Sequence, residues 1–154
     1  MRNARMRFSS LAVVIALGLV SGASLIWAQS AAPTQLRVRK NAQINGIEAQ
    51  LRGDFRANPN PIRLNSDLEN INLPVGTPVA FCLVQGTTRT LIGVAPVATV
   101  GGILDATVEL SARDGDTVPA VNAGDRLQAR QSKTAPFNPN PNCSSPLLIS
   151  GNFQ

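Results

Sequence analysis

The sequence lacks the residue types on which most enzyme mechanisms depend. It contains no histidine, which excludes a Ser-His-Asp triad and the most common general base in catalysis. No glycine-rich phosphate-binding loop follows a predicted strand. These absences favour a non-enzymatic protein, and the sequence gives no reason to expect a bound cofactor.

Aromatic residues are also scarce, because the chain has no tyrosine, one tryptophan and five phenylalanines. Two of them, Phe8 and Trp27, lie before residue 31. The rest of the chain therefore has no aromatic platform on which bases or sugar rings could stack. We expect its core to consist mainly of valine, leucine, isoleucine and alanine.

Residues 1–30 have the order of a secretory signal peptide. Three arginines come first, an uncharged apolar run follows, and Ala28-Gln29-Ser30 supplies small residues for the peptidase. Cleavage is expected after Ser30 or after Ala28. The sequence thus predicts a signal peptide over 1–30 and one secreted or periplasmic domain over 31–154.

An uncleaved membrane anchor is the alternative interpretation of the first segment. The apolar stretch from Leu11 to Trp27 is at the lower limit of the length that spans a bilayer. The small residues that dilute this stretch favour cleavage. Contact with the membrane is expected only through this segment before it is removed.

The formal net charge of +5 gives a misleading impression of a basic protein. Three of the 14 basic residues lie in the signal segment, which leaves 11 basic against 9 acidic residues and a net charge of +2. That balance gives no reason to expect nucleic acid as a partner. The expected partner is a protein or a component of the cell envelope.

The two cysteines, Cys82 and Cys143, are expected to form a disulfide. An even number of cysteines in an exported chain is typical of paired thiols. The bridge would join the two sheets, or a strand and the long polar loop that precedes the last strand. Two free thiols are the alternative, and without histidine the pair makes a poor zinc site.

Apolar and polar residues alternate along most of the chain after residue 30, and helical periodicity is almost absent. Ile47 to Phe55 alternates strictly, whereas Val79 to Val84 is apolar on both faces and is predicted to be a central strand. Turns are predicted at 85–87, 113–116 and 122–125. The pattern indicates an all-β domain, a single β-sandwich of about seven to nine short strands, with a closed barrel as the alternative.

Two further segments have more than one interpretation. The apolar span from Leu91 to Val100 carries few charges, which is typical either of a central strand or of an edge that pairs with a partner. The sequence Asn-Pro-Asn-Pro occurs at 58–61 and again at 138–141. Rigid loops account for the repeat, and a shared binding rim is the alternative.

Three aspartates are the candidates for metal binding or catalysis. Asp114 and Asp116 flank a glycine and are weak calcium ligands, since they do not match an EF-hand loop. Asp105 follows Ile103 and Leu104, the one apolar context that suggests a raised pKa. A carboxylate- or calcium-dependent hydrolase is therefore the alternative to a non-enzymatic protein.

Residues 79–131, with Leu73-Pro74-Val75-Gly76-Thr77 before them, resemble uncharacterised small secreted bacterial β-proteins. The resemblance lies in 106–110, 114–119, 121–125 and the ending Ser150-Gly151-Asn152-Phe153. These segments also resemble immunoglobulin-like sandwiches. The resemblance implies that fold but no activity. The expected function is a secreted, non-enzymatic binding or structural module of the cell envelope.

Overall fold

Alternating side chains form nine strands in the part of the chain that the structure describes. The structure is a computed structural model, and it describes residues 34–57 and 61–154. The predicted signal peptide and most of the first Asn-Pro-Asn-Pro copy lie outside these residues. The strands are β1 Gln35–Ile44, β2 Ile47–Arg56, β3 Arg63–Glu69, β4 Pro78–Gln85, β5 Thr88–Pro96, β6 Ala98–Val100, β7 Ile103–Ser111, β8 Arg126–Arg130 and β9 Leu147–Asn152.

The strands form two antiparallel sheets that pack against each other. The five-stranded sheet has the order β1-β2-β3-β7-β6, and the four-stranded sheet has the order β5-β4-β8-β9. The predicted all-β sandwich is therefore confirmed, with two hydrogen-bonded sheets rather than one closed barrel. Each sheet buries one apolar face against the other, which is the usual way in which sheets form a core.

The core lies where the inward residues of the two sheets meet. Leu51 and Leu64 come from the five-stranded sheet, and Phe81 and Leu127 from the four-stranded sheet. β4 lies between β5 and β8, and Val79 to Val84 is buried on both faces. The predicted central position of this segment is thus confirmed.

Residues with positive φ occupy several of the turns that connect the strands. Gly115 (φ 90°) and Gly124 (φ 91°) occupy predicted turns. Asn45 (φ 51°) and Gly46 (φ 80°) connect β1 to β2, the conformation that a two-residue hairpin requires. This last turn is not among those predicted above, although Asn-Gly is a typical signal for it.

On one side of the sandwich the two sheets are joined through backbone hydrogen bonds. The Arg37 N–H donates to the Gln154 carbonyl at 2.9 Å, and the Gln154 N–H donates to the Arg37 carbonyl at 2.9 Å. Gly151 of β9 permits this approach, because a Cβ there would lie 2.7 Å from Val38 Cγ1. These two hydrogen bonds and the approach at Gly151 bring β9 and the residues after it against the edge formed by β1.

Replacing Gly151 with alanine should lower the free energy of unfolding by about 1–3 kcal/mol, because the added Cβ overpacks the contact with Val38. The β-branched valine has little freedom to rotate away. Urea unfolding followed by circular dichroism measures the effect. In a Val38→Ala background, Gly151→Ala should lower the free energy of unfolding by clearly less than in the wild type. An equal decrease in both backgrounds would contradict the contact between Gly151 and Val38.

Candidate functional site

A disulfide fastens the long loop, residues 131–146, to the outer face of the four-stranded sheet. Cys82 in β4 bonds to Cys143 in the loop, with a Cα–Cα distance of 5.8 Å. Cys82 points away from the core between the sheets, yet it is completely buried. The predicted pairing is confirmed, and of the two predicted positions the bridge takes the one between a strand and the long loop.

The side-chain amide of Gln131 organises the beginning of this loop. Its Nε2 donates to the carbonyls of Pro78 (2.6 Å) and Asn138 (2.8 Å). Its Oε1 accepts from the N–H groups of Ser132 (2.8 Å) and Asn138 (3.0 Å). All four hydrogen-bonding positions of this buried amide are thus used, which holds the loop in one conformation.

The second Asn-Pro-Asn-Pro copy lies in this loop and is held by hydrogen bonds. Asn138 Oδ1 accepts from the Asn140 N–H at 2.9 Å, and Asn138 Nδ2 donates to Ser145 Oγ at 3.3 Å. Pro139 and Pro141 restrict φ on either side of Asn140. The predicted loop is confirmed at 138–141, its rigidity stays a prediction, and 58–60 lie outside the described residues.

The guanidinium of Arg130 is a second anchor for the loop. Its Nη1 donates to the Ser145 carbonyl at 2.5 Å, and its Nε and Nη2 donate to Gln128 Oε1 at 2.9 and 2.7 Å. Burial lowers the pKa of Arg130, and repulsion from Arg89 acts in the same direction. The loop and its anchors form a structural cover for this face of the sheet.

Replacing both cysteines with alanine should lower the free energy of unfolding by about 4 kcal/mol, since the bridge closes a loop of 61 residues in sequence separation. Amide hydrogen exchange should rise mainly in 132–146, because the bridge fastens that segment, and amides of the β1–β2 hairpin serve as the control. Two readily alkylated thiols in the native protein would show that the bridge is absent.

The three candidate aspartates do not come together. Asp105 is near the start of β7, whereas Asp114 and Asp116 follow its end, so about 20 Å of strand lies between Asp105 and the turn that carries the other two. Asp116 Oδ2 accepts from the Ser111 N–H at 2.9 Å and stabilises the turn. Within 34–57 and 61–154, no three Asp, Glu, Cys or His side chains are placed to hold a metal ion.

Asp105 nevertheless has the raised pKa that its sequence context suggests. Burial is the main cause, and the charge of Asp67 adds to it, while a hydrogen bond with Thr107 acts in the opposite direction. Glu69 lies directly opposite Asp105 in the register of β3 and β7. These acids belong to the solvent-facing side of the five-stranded sheet and line no enclosed site.

Charges of both signs lie on this solvent-facing side. Arg37 is opposite Asp54 and Arg52 is opposite Asp67, and both are favourable pairs. Two pairs of like charge are also present, Arg39 with Arg52 and Glu69 with Asp105. Like charges directly across a strand pair are destabilising, so these two pairs are not what sheet stability alone would favour.

A concave surface, here called the β1–β9 groove, lies where β1 and β2 meet the end of β9. Its volume is about 900 Å³, and polar groups of β9 such as Ser150 and Asn152 line one side. The charged residues that line it are Arg37, Arg39, Lys40, Arg52, Asp54 and Asp67.

The Asp54 carboxylate forms several hydrogen bonds and ion pairs beside this groove. It accepts hydrogen bonds from Gln35 Nε2 and Arg56 Nε, both at 2.8 Å, and Arg37 Nε lies 3.4 Å away. Burial alone would raise its pKa, but the hydrogen bonds from Arg56 and Gln35 and the charges of both arginines outweigh burial, so the pKa of Asp54 is lowered. Its charge is therefore compensated locally.

Arg39 and Lys40 differ from the other cations of the groove. Arg52 has Glu69 at 2.6 Å and Arg37 has Asp54 at 3.4 Å. Arg39 and Lys40 are exposed, and neither forms a salt bridge with any residue that the structure describes. Lys40 lies opposite Leu51 in the register of β1 and β2, at a position where β1 otherwise carries apolar residues. The first carbons of its side chain lie close to Gly151.

Asp54→Asn should weaken the dependence of stability on acidic pH. Because the folded-state pKa of Asp54 is lowered, its ionised form stabilises the protein above the unfolded-state pKa, and this stability is lost as pH falls through the folded-state pKa. The free energy of unfolding of the wild type should fall more between about pH 6 and about pH 3 than that of the variant. Asp114→Asn is the control, and an equal fall in D54N and wild type would contradict the assignment.

The opposite side of the sandwich carries the segment from Leu91 to Val100. β5 is the terminal strand of the four-stranded sheet, and after Val97 the chain continues as β6, the terminal strand of the five-stranded sheet. The segment lies at an edge of each sheet, so the central-strand interpretation is wrong, and pairing of this edge with a partner stays a prediction. The apolar run 91–100 has the composition of a strand buried on both faces because its first part belongs to one sheet and its last part to the other.

This β5–β6 edge, residues 88–100, exposes apolar side chains and backbone groups. Leu91 is 47% exposed, Val94 44% and Val100 53%. Within the described residues, β5 pairs only with β4, so alternate N–H and C=O groups on its other side lack a strand partner. Ile92 is an extra residue in the ladder between Leu91 and Gly93, a bulge that fixes the local register.

Comparisons with known proteins identify no relative of this chain. No family model, no curated protein and no solved structure matches the chain. The resemblance to small bacterial immunoglobulin-like proteins stays a prediction. In the part of the chain that the structure describes, no helix has the length and apolar character needed to cross a membrane.

The β1–β9 groove was not predicted from the sequence, although one signal for it is present. Arg37 and Arg39 alternate with Leu36 and Val38, which places both arginines on one face of a strand. Their proximity to Arg52 depends on the pairing of β1 with β2. The Asn45-Gly46 hairpin signal would have set that register.

Proposed function

We propose that this protein is an exported, non-enzymatic binding module that takes up an extended segment of a partner protein along the β5–β6 edge. The observation that carries the proposal is the exposed strand edge with Leu91 and Val94 beside it. An extended segment could add to β5 as a further strand, with its backbone supplying the missing hydrogen bonds.

The contrast between the two sides of the sandwich supports this role. On the β1 side, two backbone hydrogen bonds join Arg37 to Gln154, and β9 approaches closely at Gly151. On the β5 side, no described strand pairs with the outer edge. Exposed strand edges promote uncontrolled association, and natural proteins usually protect them. An outer edge of this kind is reasonable where a partner covers it.

Features of the edge indicate the chemistry of the partner segment. Leu91 and Val94 favour apolar side chains at alternate positions of the added strand. Arg89 is exposed at the start of β5, which favours an acidic residue opposite it. The bulge at Ile92 increases the local twist of β5, so we expect the added strand to follow that twist.

Export is part of the proposal. A disulfide is consistent with a periplasmic or extracellular location, and residues 1–30 have the pattern of a signal peptide. An immunoglobulin-like module suits such a location, where many sandwich domains act by binding. The hydrolase alternative has less support, since Asp105 lies far from Asp114 and Asp116.

The test is selection of short random peptides displayed on phage against the purified protein. Selected peptides should bind the variant Leu91→Lys/Val94→Lys at least about tenfold more weakly than the wild type, because charge is placed at the edge. The control Ile47→Lys/Leu147→Lys alters residues of similar exposure, 42% and 44%, away from β5 and should leave binding unchanged. Bound peptide should slow amide exchange in β5.

Equal losses in both double variants, or protection of strands other than β5, would overturn the proposal. So would a selection that enriches no peptide. Size-exclusion chromatography with light scattering provides the other decisive measurement. If the wild type forms dimers that Leu91→Lys/Val94→Lys dissociates, the edge is occupied by a second copy of the chain and the proposed partner is wrong.

A further inference from the structure

We propose that the β1–β9 groove is a second binding site, one that holds an anionic oligosaccharide through carboxylate, sulfate or phosphate groups on its sugars. The groove lies on the side of the sandwich opposite the β5–β6 edge. It therefore goes beyond the proposed function and does not depend on it.

The charge of the groove is the first argument. Four cationic side chains line it against two carboxylates, an excess that the near-neutral composition of the domain does not reveal. Arg39 and Arg52 are direct cross-strand neighbours, and two positive charges in such a pair repel each other. Arg52 also has Asp67 opposite it on β3 and a salt bridge with Glu69, so Arg39 is the member of the pair without a carboxylate partner among the described residues. An anion bound beside Arg39 would supply that partner.

The groove also contains cationic side chains that form no salt bridge with a described residue. The carboxylate of Asp54 is taken up by Gln35, Arg56 and Arg37. Glu69, outside the groove, pairs with Arg52. Arg39 and Lys40 have no such partner among the described residues, so their donors are open to charge-assisted hydrogen bonds with an anion.

The polar lining and the size of the groove favour a sugar chain over a single ion. Ser150 and Asn152 offer hydroxyl and amide groups along the β9 side, which suit the hydroxyl groups of sugars. A volume of about 900 Å³ is in the upper part of the range for small-molecule sites, and far larger than an inorganic anion needs. Several linked residues of a glycan would fill it.

No aromatic residue that the structure describes lines the groove, and this distinguishes between the classes of ligand that it could bind. Proteins that bind single-stranded nucleic acid generally stack bases on aromatic side chains, and none lines this surface. Neutral sugars are often held by the same kind of stacking, so they too are poor candidates. Recognition here depends on charge and hydrogen bonds, which an acidic glycan satisfies.

The experiment is a titration of the purified protein with oligogalacturonate and with a sulfated dextran oligosaccharide, observed by calorimetry at low salt. Arg39→Gln/Lys40→Gln should weaken binding of both about tenfold or more, since two charged donors are lost. The control Arg113→Gln/Lys133→Gln removes the same charge from exposed turn and loop positions and should change affinity less than about twofold. Neutral dextran should not bind.

In the titrations, the proposal would be overturned by no binding of either anionic oligosaccharide, by equal losses in the two double variants, or by equally tight binding of neutral dextran. A single-stranded oligonucleotide that binds as tightly, and is lost with Arg39→Gln/Lys40→Gln, would show that the groove takes another class of polyanion. Amide chemical-shift mapping on the wild type is independent of variant stability. Shifts must concentrate in β1 and the end of β9, and shifts confined to β5 would overturn the site.

Discussion

The Cys82–Cys143 bond is the constraint on which much of this architecture depends. β4 is apolar on both faces, so it is stable only if both of its faces are covered. The five-stranded sheet covers one face, and the loop 131–146, fastened by the disulfide and by Gln131, covers the other. A segment without regular secondary structure thereby acts as a third layer for the central strand.

The two sides of the sandwich have different characters because different elements end there. On one side, Gly151 allows β9 to approach β1, and the end of the chain pairs with Arg37. The same approach creates the β1–β9 groove and exposes Lys40 beside it. On the other side, β5 crosses to the second sheet as β6 and exposes Leu91 and Val94. The surfaces proposed for binding therefore follow from how the sheets meet.

Much of the fold could be predicted from local patterns. Alternation from Ile47 to Phe55 and the apolar run from Val79 to Val84 identify an outer and a central strand, because side chains alternate between the faces of a sheet. The disulfide follows from an even cysteine count and the expected export. The position of Leu91–Val100 does not follow, since a strand that serves two sheets has the same composition as a central strand.

The sequence by itself determined the fold class, the absence of histidine chemistry and the cysteine pairing, because these depend on residue types and on local periodicity. Only the tertiary structure decided where charge accumulates and which edge stays open. Arg39 and Arg52 are distant along the chain and become neighbours through strand pairing, and Asp105 is separated from Asp114 by the length of β7. The register of paired strands and the crossing of β5 into β6 set these distances, and neither is contained in the composition.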